Sequence, residues 1–302
     1  MTGPGRVRIG VLGHVDHGKT TLTAAITRVL REEYPDRNRL AGKDDWVVRG
    51  VEYQTRNRRY LHIDPSPWRD RRASLLHAAP LDGAVLVVSA VEGVMAQTRQ
   101  DVLGARWLGV PALVVALNKA DQVDDDLAAA VEAEVRDELT RQGWSGADVP
   151  VVRVSAFHAL YGDPQWRASI LELMDAVDTH VPGPGSAPVH DAETRRRTRF
   201  DAEVYLATPP EGGSPRPLWP GSACRFWFRT AEVAGTVAFD DVERGTGGPR
   251  HRDFVEMLLP GDTAQVRVTL DEPVALGDEE CFVVTQPGRS GYAWGRVTHA
   301  LG

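Results

Sequence analysis

Residues 13–20, GHVDHGKT, constrain this chain more than any other stretch. They fit the pattern G-x-x-x-x-G-K-[ST]. The apolar run Val7–Leu12 precedes them, and Thr20–Arg31 follows with Leu22, Ala25, Ile26, Val29 and Leu30 at helical spacing. A glycine-rich loop between a strand and a helix turns its N–H groups, and the positive end of the helix, toward α/β-phosphates. Lys19 brings a point charge for the β/γ-phosphates, and the Thr20 hydroxyl a ligand for Mg²⁺. The expected phosphate cradle is therefore Gly13, His14, Val15, Asp16, His17, Gly18, Lys19, Thr20 and Thr21.

Further strand and helix signals alternate up to residue 180. Tyr60–Asp64, Ala84–Ser89, Ala112–Leu117 and Val151–Ser155 read as strands, and Thr98–Leu108, Asp125–Gln142 and Trp166–His180 as helices. Near-continuous apolar strands in βα units predict a mostly parallel sheet with helices on both faces. The texture changes at VPGPGSAPVHDAETRRR, 181–197, which suits a boundary. Short β-branched and aromatic runs then predict an all-β barrel or sandwich. The expected division is a nucleotide domain over 1–181, a linker over 182–198 and a β domain over 199–302.

A second motif, NKAD at Asn118–Asp121, follows the strand signal. The Asp121 carboxylate can accept from the N1–H and N2–H₂ edge of guanine, an edge that adenine lacks. The stem of Lys119 can cover the base, and Asn118 can brace the loops. Ser155, Ala156 and Phe157 follow the next strand, where backbone N–H groups can complete a base pocket.

The net charge of −7 provides no global basic footprint, so DNA is not an expected partner. Two arginine clusters stand out, Arg56, Arg58, Arg59, Arg69, Arg71 and Arg72, and Arg195, Arg196, Arg197 and Arg199. Each fits either a solvated surface or a phosphate or RNA contact. Cys224 and Cys281 are expected as buried strand thiols. No apolar run is long enough to span a membrane, and residues 1–10 have no apolar leader core. A cytoplasmic monomer is the expectation.

With these motifs in place, the chain resembles the elongation factor Tu family of translational GTPases. GHVDHGKT, the region 82–100, NKAD and SAFHAL at 155–160 are similar to that family's GTPase domain. The runs FDAEVYL, GSACRFWFRTAEVAGTVAF and FVEMLLPGDTAQVRVTL are similar to its C-terminal barrel. The resemblance implies a P-loop GTPase domain followed by a small β-barrel, binding of GTP or GDP with Mg²⁺, and metal ligation by Thr20 and Asp64. It also implies possible partners: the ribosome, an exchange factor, and the tRNA T-arm, with Arg289 and Ser290 fitting a loop used for the last.

Three departures bear on activity. The family's middle barrel has no room between His180 and Phe200, which puts ordinary aminoacyl-tRNA delivery in doubt. Arg49 and Gly50 run directly into Val51, so the threonine that closes the first switch over Mg²⁺ has no counterpart, and Thr55 is a poor substitute. Where the family reads Asp-Cys-Pro-Gly-His, this chain reads Asp64, Pro65, Ser66, Pro67, Trp68. Pro67 has no N–H for a γ-phosphate, and the Trp68 indole cannot accept a proton from water. No catalytic residue is thus expected intact, and three readings follow: a nucleotide binder with weak or lost hydrolysis, an active translational GTPase, or a non-catalytic interaction module that occupies exchange factor, ribosome or antibiotic.

Overall fold

The fold begins from Val7–Leu12, whose alternate and then continuous apolar residues place a strand at the centre of a sheet. The computed structural model describes residues 5–38, 44–45, 50–63, 80–186, 195–229, 231–239, 241–242, 253–254, 257–286 and 292–300. Asp64, Pro67, Trp68, Arg69, Arg71, Arg72, Arg289 and Ser290 lie outside the described residues. The chain divides into two units, one carrying a seven-stranded sheet and the other a closed barrel.

In the first unit β1 (Val7–Leu12) leads through the 13–18 loop into α1 (Lys19–Glu33). After β2 (Asp44–Asp45) come β3 (Gly50–Gln54), β4 (Arg59–Ile63), β5 (Gly83–Ser89), α2 (Ala96–Trp107) and β6 (Leu113–Asn118). A 3₁₀ turn at Ala120–Gln122 precedes α3 (Asp125–Arg141), β7 (Val151–Arg153), α4 (Ala156–Leu160) and α5 (Pro164–His180). The strand order is β2-β3-β4-β1-β5-β6-β7. The four pairings from β4 through β1, β5 and β6 to β7 are parallel. The wholly buried sequences of β5 and β6 suit strands covered on both faces.

The antiparallel β3–β4 hairpin was not foreseen as a strand pair. Its turn is held by Thr55, whose Oγ1 accepts from the N–H of Asn57 (3.2 Å) and Arg58 (3.1 Å) and donates to Asp178 Oδ1 (3.0 Å). Arg58 donates to the carbonyls of Val181 and Pro182, and Arg59 to Glu52 Oε2 (2.7 Å). These two arginines of the first cluster are thus committed within the domain. Helix starts follow local chemistry: Asp124 caps α3 by accepting from Leu127 N–H (2.8 Å), and Asp163 caps α5 ahead of Pro164.

The second unit closes as β10-β13-β8-β15-β14-β9. These strands are β8 (Arg195–Leu206), β9 (Ala223–Trp227), β10 (Glu232–Ala238), β13 (Thr263–Leu276), β14 (Cys281–Thr285) and β15 (Tyr292–Ala300). β11 (Asp241–Val242) and β12 (Asp253–Phe254) form a small separate pair. Strict alternation in β10 and the first half of β13 turns one face inward, where Phe200, Phe226, Phe228 and Phe282 pack together. The arginine run of residues 195–199 belongs to β8, and Arg196 donates to Pro273 O (2.9 Å). Cys224 and Cys281 are buried and unbridged, and burial, the largest cause, pushes the Cys281 thiol up to about 11. Among the described residues no helix is long and apolar enough to cross a membrane.

Candidate functional site

Three loops at the C-terminal ends of β1, β6 and β7 form the site. The loop after β1 turns through left-handed backbone at Asp16 (φ 65°) and Gly18 (φ 91°). A side chain on Gly18 would place its Cβ 2.3 Å from Asn118 Nδ2, and one on Gly13 (φ 125°) would meet Val87 O at 2.2 Å. Only glycine suits either position. The N–H groups of Asp16, Gly18, Thr20 and Thr21 make no hydrogen bond among the described residues. They gather at the start of α1, which has no acidic residue in its first turn. Unpaired donors at a helix N-terminus form a ready anion site.

Lys19 is buried and lies back across the loop, donating to Gly13 O (2.7 Å) and His14 O (2.8 Å). The Thr20 side chain is exposed at the helix start and is without a described partner, so its hydroxyl fits a metal ligand. Among the described residues no cluster of three His, Cys, Asp or Glu side chains could hold a metal. His17 is fully buried, with Nδ1 3.4 Å from Val87 O and Nε2 3.8 Å from Glu92. Burial, the largest cause, pushes its imidazole down to about 4.

Two residues of α2 with no role assigned from the sequence hold the other side of this loop. Asp101 accepts from Gly13 N–H (2.7 Å) and Gln97 from Val15 N–H (3.1 Å). Their i,i+4 spacing puts them on one helix face, and that polar pair was the available signal.

Asn118 joins the three loops. Its Nδ2 donates to His17 O (2.8 Å), and its Oδ1 accepts from Ala156 N–H (2.9 Å). The Ala156 N–H, expected at the base pocket, is therefore used to fix the loop. Lys119 takes left-handed backbone (φ 59°), and its amine reaches Glu92 (3.1 Å). That hydrogen bond, the largest cause, lowers the Glu92 carboxyl below its usual range. Asp121 follows in the 3₁₀ turn, with His158 Nε2 3.5 Å from Oδ2. Ser155 is buried and accepts from His158 N–H (3.4 Å), while Phe157 is exposed with its ring 4.7 Å from that of Tyr161.

This arrangement sets unpaired loop N–H groups at one end and the Asp121 carboxylate at the other. Two family models match the chain. Residues 5–183 match the Elongation factor Tu GTP binding domain, and residues 193–300 the Elongation factor Tu C-terminal domain. The two matches follow each other with only residues 184–192 between them.

Proposed function

The chain belongs to the elongation factor Tu family of translational GTPases, without a middle barrel between its two matched domains, and we propose that it retains guanine-nucleotide binding while hydrolysing GTP weakly or not at all. The observation that carries the binding half is Asn118, which ties the phosphate loop, the NKAD strand end and the 155–157 loop into one site. Loop N–H groups would receive the α/β-phosphates. Lys19 would exchange its carbonyl partners for phosphate oxygens, and Asp121 would accept from the guanine edge. Thr20 and Asp64 would hold Mg²⁺, which when bound neutralises charge on the β/γ-phosphates.

The catalytic half rests on the residues at the switch. Removing one donor aimed at developing charge costs about 10²–10³ in rate, and losing a group that handles the nucleophile's proton costs about 10²–10⁴. Pro67 and Trp68 remove one of each, and such losses need not multiply. The α/β-phosphate and guanine contacts do not depend on the γ-phosphate, so binding survives where hydrolysis does not. The binding half is tested by purifying the protein and identifying any co-purified nucleotide. A guanine nucleotide supports the reading, and a site that also refuses added GDP contradicts it.

A second reading is favoured by the direct succession of GTP-binding domain and C-terminal barrel. These are the parts whose junction, in the family, meets the exchange factor. A cytoplasmic protein with these two parts in direct succession would occupy such partners without delivering aminoacyl-tRNA. Recovery of exchange factor or ribosome from cytosol supports this reading. Ribosome-stimulated turnover of GTP would instead favour an active GTPase.

A further inference from the structure

We infer that His158 is a positioning residue for guanine specificity, acting through Asp121; the inference rests on the guanine-site reading above. Among the described residues the Asp121 carboxylate has no hydrogen bond, and His158 stands beside it, with Nε2 3.5 Å from Oδ2. The adjacent cation, Lys119, is committed to Glu92 at 3.1 Å and leaves Asp121 to His158. The histidine is itself held in place. Its N–H donates to Ser155 Oγ (3.4 Å), and its ring stands edge-on to Phe157 at 5.6 Å and 87°. The start of its helix is fixed by the hydrogen bond from Ala156 N–H to Asn118.

A carboxylate offers about four lone-pair sites. A donor drawn from 3.5 Å onto one outer site of Oδ2 would fix the carboxylate plane and leave one site on each oxygen for the two parallel donors of guanine. A carboxylate free to rotate presents both together less of the time. Guanine uses N1–H and the 2-amino group, whereas hypoxanthine has only N1–H. Orientation therefore matters more for the first, and this separates a positioning role from a structural one.

The test measures binding of guanosine diphosphate and inosine diphosphate to the full chain, as wild type, His158→Ala and His158→Gln, with thermal unfolding of each. Expected for His158→Ala is a loss of GDP affinity of about three- to tenfold, the effect of one hydrogen bond. The loss for inosine diphosphate is smaller, so the GDP preference shrinks, and His158→Gln, which keeps a donor, restores it. An unchanged preference in His158→Ala, whether both affinities fall together or neither falls, overturns the inference. Wild-type protein that binds neither diphosphate overturns the guanine-site reading itself.

Discussion

Asn118 donates to the carbonyl of His17 across 2.8 Å, so the residue that opens the base-reading motif also holds the phosphate loop in shape. The loop after β1 and the end of β6 are thereby tied together. Asn118→Ala leaves His17 O and Ala156 N–H buried without their partner. Two such groups cost about 1–3 kcal/mol each. The variant is expected to lose at least about tenfold in GDP affinity and to melt at lower temperature, as read by calorimetry and thermal unfolding.

Gly18 faces that same amide. In Gly18→Ala the left-handed backbone alone costs about 1–2 kcal/mol, and the new methyl must displace Asn118 Nδ2 from 2.3 Å. Nucleotide affinity should fall by more than the loss of stability accounts for, because the cradle itself is deformed. Urea unfolding and GDP titration of the same preparation separate the two effects.

His17 makes the GTP-binding domain sensitive to acid. Its folded value of about 4 lies below the ordinary 6.5, so the unfolded chain binds the proton more readily. The contribution to stability is fully present above pH 6.5 and is lost as pH falls toward 4, by roughly 3 kcal/mol in all. His17→Gln should flatten that part of the profile. Urea unfolding of both proteins between pH 7 and 4 isolates the histidine from carboxylates that titrate in both.

Much of this was legible in advance because it rests on contiguous motifs. GHVDHGKT and NKAD each carry their chemistry within a few residues, and the apolar runs around them mark their strands. The β3–β4 hairpin was hidden because residues 51–55 read only as the stretch that follows the shortened first switch, although Val51 and Tyr53 alternate as a strand requires. Thr55 belongs to that hairpin's turn and bonds Asp178, a contact set by folding and not by local sequence. Asp101, Gln97 and His158 were missed for the same reason: each meets its partner only when distant segments are brought together.

Pro67 and Trp68 carry the expectation of slow hydrolysis. Restoring the family's residues with Pro67→Gly and Trp68→His should raise the single-turnover rate of GTP hydrolysis about 10²-fold or more. Affinity for GDP should stay within about threefold of wild type, since its contacts lie elsewhere. A double variant as slow as wild type would place the defect in the shortened first switch.

The most direct measurement is calorimetry with GDP and a non-hydrolysable GTP analogue in the presence of Mg²⁺. A ligand shifts a conformational equilibrium only through differential affinity, and a site without its γ-phosphate contacts has little to offer. The two nucleotides should bind with affinities within about threefold of each other. A preference of about tenfold or more for the GTP analogue, or no binding of GDP, would contradict the account.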